Sequence, residues 1–111
     1  MTTTHQKVWG SELWIVNTDE YCGKKLILRK GMQCSLHYHE VKDETFFVHS
    51  GLVRFEKDGD VSILGPGSSM RVPPRSLHRF GGVEDSEIFE FSTRHSESDV
   101  YRIEPSGCDR S

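Results

Sequence analysis

Cysteine is scarce in this chain, and long apolar runs, blocks of like charge and helical periodicity are missing altogether. The cysteines are Cys22, Cys34 and Cys108. An odd number at unrelated spacings argues against a disulfide framework and for a reducing compartment. No apolar stretch approaches the roughly 18 residues of a membrane span. The polar segment Met1 to Lys7 lacks the apolar centre of a secretory signal. A cytoplasmic protein with no membrane partner is therefore expected. Lys and Arg number 14 against 17 Asp and Glu, for a formal charge of −3. The two signs are interspersed, so nothing in the charge pattern favours a nucleic acid. No segment repeats apolar residues at helical spacing over ten or more positions. Internal repeats and low-complexity tracts are also absent.

What is present is a string of short segments rich in β-branched and aromatic residues. They run Glu12 to Val16, Lys24 to Leu28, Cys34 to His39, Thr45 to Val48, Leu52 to Glu56, Val61 to Leu64, Ser69 to Val72, Leu77 to Phe80 and Ser86 to Phe91. Gly31, Gly51, Asp58-Gly59, Gly65-Pro66-Gly67, Pro73-Pro74 and Gly81-Gly82 separate them as turn signals. Strands recurring at about eight to twelve residues predict an all-β, antiparallel sandwich or barrel. The 111 residues suit one domain, with a core from about residue 7 to 103. Thr2 to Gln6 and Ser106 to Ser111 are expected to be loose, and the charged stretch Arg94 to Arg102 to pack across the barrel mouth. Only 34% of residues are hydrophobic, so a metal or a partner subunit would add needed stability.

The candidate chemistry starts at Leu36-His37-Tyr38-His39. Side chains alternate faces along a strand, so His37 and His39 point the same way, roughly 6–7 Å apart, while Tyr38 points away. Two imidazoles on one face can converge on one ion. Glu44 opens the next strand and an antiparallel return would bring it beside them. His78 lies far off in sequence and would join only through barrel closure. Taken singly, each of these residues has a plainer reading as a polar strand, loop or turn residue. His5, His49 and His95 have no evident partners and are read as structural or solvent-facing.

The spacing Gly31, five residues, His37-x-His39, four residues, Glu44, six residues, Gly51 resembles the first motif of the cupin superfamily at every offset. Gly67, five residues, Pro73 and then His78 resembles the second. Arg75 and Gly82 depart from it, standing where the family usually has Gly and often has Asn. The resemblance implies a jelly-roll-like β-barrel holding one divalent transition metal (Zn, Mn, Fe, Ni or Co) on His37, His39, Glu44 and His78. That mix of neutral imidazoles and a carboxylate suits such ions.

The order of Trp9-Gly10-Ser11-Glu12, the His37 motif, Glu90-Phe91-Ser92 and Ser98-Asp99-Val100-Tyr101-Arg102 is similar to the mannose-6-phosphate isomerase type of cupin domain. This implies aldose–ketose isomerisation of a small-molecule substrate, a sugar or sugar phosphate. Glu90, between Phe89 and Phe91, is the candidate proton-transfer base if it faces inward; outward, it is a solvated carboxylate. Lys42, Arg94 and Arg102 are candidates by location for a phosphate contact, each with an alternative as an ordinary surface charge. An Fe or Ni cupin dioxygenase using an apolar pocket of Phe46, Val48, Met70 and Phe80, and a non-catalytic metal- and sugar-binding cupin, are the other readings. Thr45, Phe47 and His49 fall on the outer face of their strand, and the exposed aromatics there predict a homodimer contact.

Overall fold

The computed structural model describes residues 2–109. In chain order the strands are β1 (Thr3–Lys7), β2 (Gly10–Asn17), β3 (Cys22–Leu28), β4 (Met32–Gln33), β5 (Leu36–Tyr38), β6 (Glu44–Ser50), β7 (Val53–Lys57), β8 (Asp60–Leu64), β9 (Ser69–Val72), β10 (His78–Gly82), β11 (Ser86–Ser92), β12 (Tyr101–Glu104) and β13 (Gly107–Cys108). A single 3₁₀ turn, Glu97–Asp99, precedes β12. Every strand pairing is antiparallel. One sheet runs β1-β2-β3-β11-β6-β9. The other runs β12-β5-β10-β4-β13, with β7 paired to β10 and β8 to β7. The all-β, antiparallel expectation holds, and no helix is long and apolar enough to cross a membrane.

Alternation along the strands decides what fills the space between the sheets. On β3, β6 and β11 every second residue is buried. Leu26, Leu28, Phe46, Val48, Val72 and Ile88 from the first sheet meet Cys34, Val53, Phe55 and Phe80 from the second. The same inward rows carry different residues toward one end: Lys24 on β3, Glu90 on β11 and Glu44 on β6, all buried. The barrel is thus apolar at one end and charged at the other, and the charged end holds the site.

Two turns set the strand register. Asp58 and Gly59, at φ +50° and +87°, link β7 to β8 in the left-handed conformation that two-residue hairpins use. Gly51, at φ +90°, leads from β6 toward β7. A Cβ there would collide with Ser86 Oγ and the Asp85 carbonyl, so the position takes glycine for space as well as for φ. Arg75 explains one departure from the second motif. It adopts φ +69°, the conformation glycine usually supplies. Its amide donates to the His39 carbonyl at 2.6 Å and its guanidinium holds Glu40 at 3.0 Å.

Three expectations need correction. Cys34 to His39 is not one strand: it divides into β4 and β5, with His39 just beyond β5. The N-terminal residues are not loose, because all five of β1 pair with β2. Gly107 and Cys108 likewise pair with Gln33 and Met32, and the Asp109 amide donates to the Gly31 carbonyl at 2.8 Å. Arg110 and Ser111 lie outside the described residues. Both terminal strands are short and polar, so the apolar alternation that marks the inner strands is absent from them. The three cysteines are free, as expected for a chain without a disulfide framework.

Candidate metal centre and its cavity

β5 and β10 place His37 directly opposite His78 in the register. His39, two residues on, brings its ring centroid to 5.0 Å from that of His37 and 5.6 Å from that of His78. One ligand atom from each of the three imidazoles falls within 4.8 Å of the other two. Glu44 enters from the facing sheet. Its Oε2 lies 3.1 Å from His78 Nε2, and its Oε1 lies 3.6 Å from His39 Nε2. The three histidines named from the motifs therefore converge, Glu44 lies against two of them, and Tyr38 turns away to stack on Tyr101 at 5.1 Å.

The hydrogen bonds of the imidazoles fix which nitrogen faces that point. Nδ1 of His37 donates to the Ser35 carbonyl at 2.8 Å, that of His39 to the Asp99 carbonyl at 2.7 Å, and that of His78 to the Ser76 carbonyl at 2.9 Å. A carbonyl only accepts, so each Nδ1 carries the proton and each Nε2 offers a lone pair. His39 Nε2, His78 Nε2 and Glu44 Oε2 are buried without a hydrogen-bond partner: the 3.1 Å approach of His78 to Glu44 lacks hydrogen-bond alignment. Buried polar atoms are rarely left unpaired. Three lone-pair donors converging with a carboxylate, each imidazole oriented from behind, fit a divalent transition metal.

Protonation follows the burial. Burial first, then the neighbouring His78, lowers the His37 pKa to about 3. Burial also lowers that of His39. Burial alone would raise Glu44, but the contact with His78 and the charge of Lys42 outweigh it and hold the carboxyl well below the usual range. In the metal-free protein an unfolded histidine takes up a proton near pH 6.5, whereas folded His37 resists until about pH 3. The unfolded state thus binds more protons, and stability falls as pH drops from about 6.5 toward 3. Glu44 acts in the same direction below its ordinary value. The urea midpoint of chelator-treated protein should fall progressively below about pH 6.5, and a flat midpoint from pH 7 to 5 would contradict this protonation scheme.

The centre opens into a cavity of about 290 Å³ lined by, among others, Glu12, Lys24, Lys42, Glu90, His95, Glu97 and Arg102. Glu90 faces inward and is buried, as a base would have to be. It is not isolated among apolar groups, because Lys42 Nζ sits 2.7 Å from its Oε2. Lys42 is no surface charge: its side chain is 2% exposed and also lies 3.2 Å from Glu44 Oε1. Burial alone would depress its pKa, but Glu90 and Glu44 hold it above the usual lysine value. Arg94 does not reach the cavity and instead pairs with Asp19 at 3.2 Å on the surface. Arg102 lies at the rim, 3.7 Å from Glu97.

Several site residues escaped the sequence reading. His95 does have partners: its Nδ1 is 2.9 Å from Lys42 Nζ, and its Nε2 is 2.8 Å from Glu97. The Asp99 carboxylate receives the backbone amides of Glu40, Val41 and Lys42, at 2.8, 3.2 and 3.0 Å. His95, Glu97, Val100 and Arg102 of the charged closing stretch line the cavity, and Asp99 ties that stretch to the ligand loop by both carboxylate and carbonyl. Lys24 had a readable signal. It shares strand parity with Leu26 and Leu28, so an inward face for those leucines places Lys24 inward too. His5 rests against Trp14 at 4.2 Å, and His49 is exposed beside Phe89 at 5.7 Å.

The cupin domain model matches residues 25–92. Among curated proteins, the D-lyxose/D-mannose isomerase of Thermosediminibacter oceani is 30% identical over 115 aligned positions, which cover 78% of this chain and 64% of that one. The mannose-1-phosphate guanylyltransferase of Sinorhizobium fredii is 28% identical across 86% of this chain but only 19% of its own length. This chain thus spans less than two thirds of either relative. Among solved structures, an RmlC-like cupin from Shewanella frigidimarina superposes with a TM-score of 0.80 at 19% identity, covering 88% of each chain.

Proposed function

The chain belongs to the cupin family, and from that premise we propose that it is a metal-dependent aldose–ketose isomerase acting on a free sugar. The observation that carries this reading is the inward Glu90 carboxylate, buried in the same cavity as the three converging imidazoles and tied to Glu44 through Lys42. His37, His39, His78 and Glu44 would hold the ion. When bound there, a divalent metal polarises the carbonyl and hydroxyl oxygens of an aldose. Glu90 takes the proton from C2 and returns it to C1. The C2 hydroxyl proton passes to the C1 oxygen by way of the enediol, and the two transfers together turn aldose into ketose. Lys42 holds Glu90 in place. The arginine-bearing strap from Arg94 to Arg102 limits water entry at the mouth.

A free sugar fits the cavity better than a phosphate ester. Lys24, Lys42 and Arg102 each lie against a carboxylate, and four glutamates line the walls. A phosphate would meet those carboxylates, whereas hydroxyl groups can both donate to them and accept from the cations. Phe46 and Phe80 line the same cavity, but the charged groups beside them weigh against the wholly apolar pocket that a dioxygenase would use. The isomerase relative supports the reading by name: it is a D-lyxose/D-mannose isomerase. The outer face of the β6 and β11 strands carries Phe47, Phe89 and the 57%-exposed Phe91, which we take as the homodimer contact.

Metal-loaded protein should interconvert D-mannose or D-lyxose with the matching ketose, and should prefer D-mannose to mannose 6-phosphate. Glu90→Gln should lower kcat by about 10²–10⁴-fold with metal content unchanged. Full activity in that variant would remove Glu90 as the base. Absence of turnover together with oxygen consumption would move the protein to the oxygenase class.

A further inference from the structure

Lys24 is the residue the proposed chemistry leaves unexplained. Its side chain is 2% exposed in the middle of the six-stranded sheet, where burying an ammonium is costly. What it receives from the protein is little. Glu12 Oε1 lies at 3.5 Å, at the limit of a hydrogen bond, and the Trp14 ring at 4.4 Å. An ammonium has three donors, and Lys24 lines the same cavity as His37, His39 and Glu90. Glu12 is held more firmly. The Trp14 indole donates to its Oε1 at 2.8 Å, and Glu12 Oε2 makes no hydrogen bond among the described residues. Lys24 is opposite Glu90 on one side and Trp14 on the other in the strand register. By strand, the sheet carries Glu44 on β6, Glu90 on β11, Lys24 on β3 and Glu12 with Trp14 on β2, with Phe46 rather than Glu44 directly opposite Glu90. The strand of Lys24 lies about 10 Å, two strand spacings, from that of Glu44.

We propose that Glu12 and Lys24 form a second subsite that binds neighbouring hydroxyl groups at the end of the sugar remote from the metal centre. This rests on the sugar-binding part of the reading above. The ammonium donates to one hydroxyl and the carboxylate accepts from the next, with Trp14 orienting Glu12 and supporting Lys24 from behind. The pair acts on chain length: a hexose reaches from the imidazoles to Glu12 and Lys24, and a tetrose does not. Glu12 and Lys24 are thus specificity-determining residues and take no part in proton transfer.

The test is isothermal titration of metal-loaded protein with D-mannose, the unreactive polyol D-mannitol and the four-carbon D-erythrose. Turnover of D-mannose is followed in parallel. Lys24→Met keeps the side-chain volume and removes the charge. It should weaken D-mannose and D-mannitol about tenfold or more, change D-erythrose little, and leave metal content unaltered. Glu12→Gln should show the same chain-length signature and serves if Lys24→Met does not fold. Equal weakening for all three ligands, unchanged binding in both variants, or no sugar binding by the wild type would each overturn the subsite. Binding with the predicted signature but without turnover would leave the subsite standing and reject the isomerase reading instead.

Discussion

Replacing Lys42 with Met should destabilise the metal-free fold by about 3–5 kcal/mol, the usual cost of removing one partner from a buried ion pair. Lys42 and Glu44 are both 2% exposed and Glu90 is 6% exposed, with the ammonium 3.2 and 2.7 Å from the two carboxylates. Without it, two carboxylates remain in the barrel with one cation fewer to balance them. The loss should be smaller in metal-loaded protein, because the ion itself offsets Glu44. Glu90 stays uncompensated in either state. Adding Glu90→Gln to Lys42→Met should therefore recover part of the stability, and a double-mutant cycle should give a coupling of about 1–3 kcal/mol. Urea unfolding of the four proteins, with and without metal, measures this. A Lys42→Met protein as stable as wild type would mean that the two carboxylates are not charged together in the fold. The same variant should lose most of its isomerase activity, because the hold left on Glu90 is the neutral hydrogen bond from Ser92 Oγ at 3.0 Å.

The second large effect is on thermal stability through the metal. A ligand present at about a thousand times its dissociation constant stabilises the folded state by about 4 kcal/mol. For a domain of this size that is a rise in Tm of roughly 15 °C. Wild-type protein should show a loss of that order on chelation and recover on adding metal. His37→Gln with His39→Gln should abolish the response, since two of the three converging lone pairs are gone. The chelated double variant should melt close to chelated wild type, because neither imidazole has packing duties that glutamine cannot partly meet. A full metal-dependent shift in the double variant would place the ion elsewhere.

How much of this was legible in the sequence depends on which physical rule each residue obeys. Strand alternation alone put His37 and His39 on one face and sent Tyr38 the other way. It did not reach Glu44 or His78, whose approach depends on β6 and β10 meeting from different sheets. Those two came from the motif spacing. Parity also carried more than was taken from it: Lys24 follows from Leu26 and Leu28, and Glu90 from Ile88. Lys42 was unreadable for a different reason. It precedes β6, outside any periodic segment, and its loop is held by contacts remote in sequence, the three backbone hydrogen bonds to Asp99 among them. His95 depends likewise on the docking of a segment remote in sequence, with Asn17 receiving its amide at 2.9 Å. Local pattern thus recovers the sheets and their faces, while the groups placed by loop closure need the fold itself.

The central claim is that the Nε2 atoms of His37, His39 and His78, with Glu44, hold one metal ion. Elemental analysis of the purified, dialysed protein beside the His37→Gln, His39→Gln variant tests it most directly. The account predicts close to one divalent transition-metal ion per chain in the wild type and close to none in the variant. A wild type that retains no metal even after loading, or a variant that keeps its full complement, would contradict it.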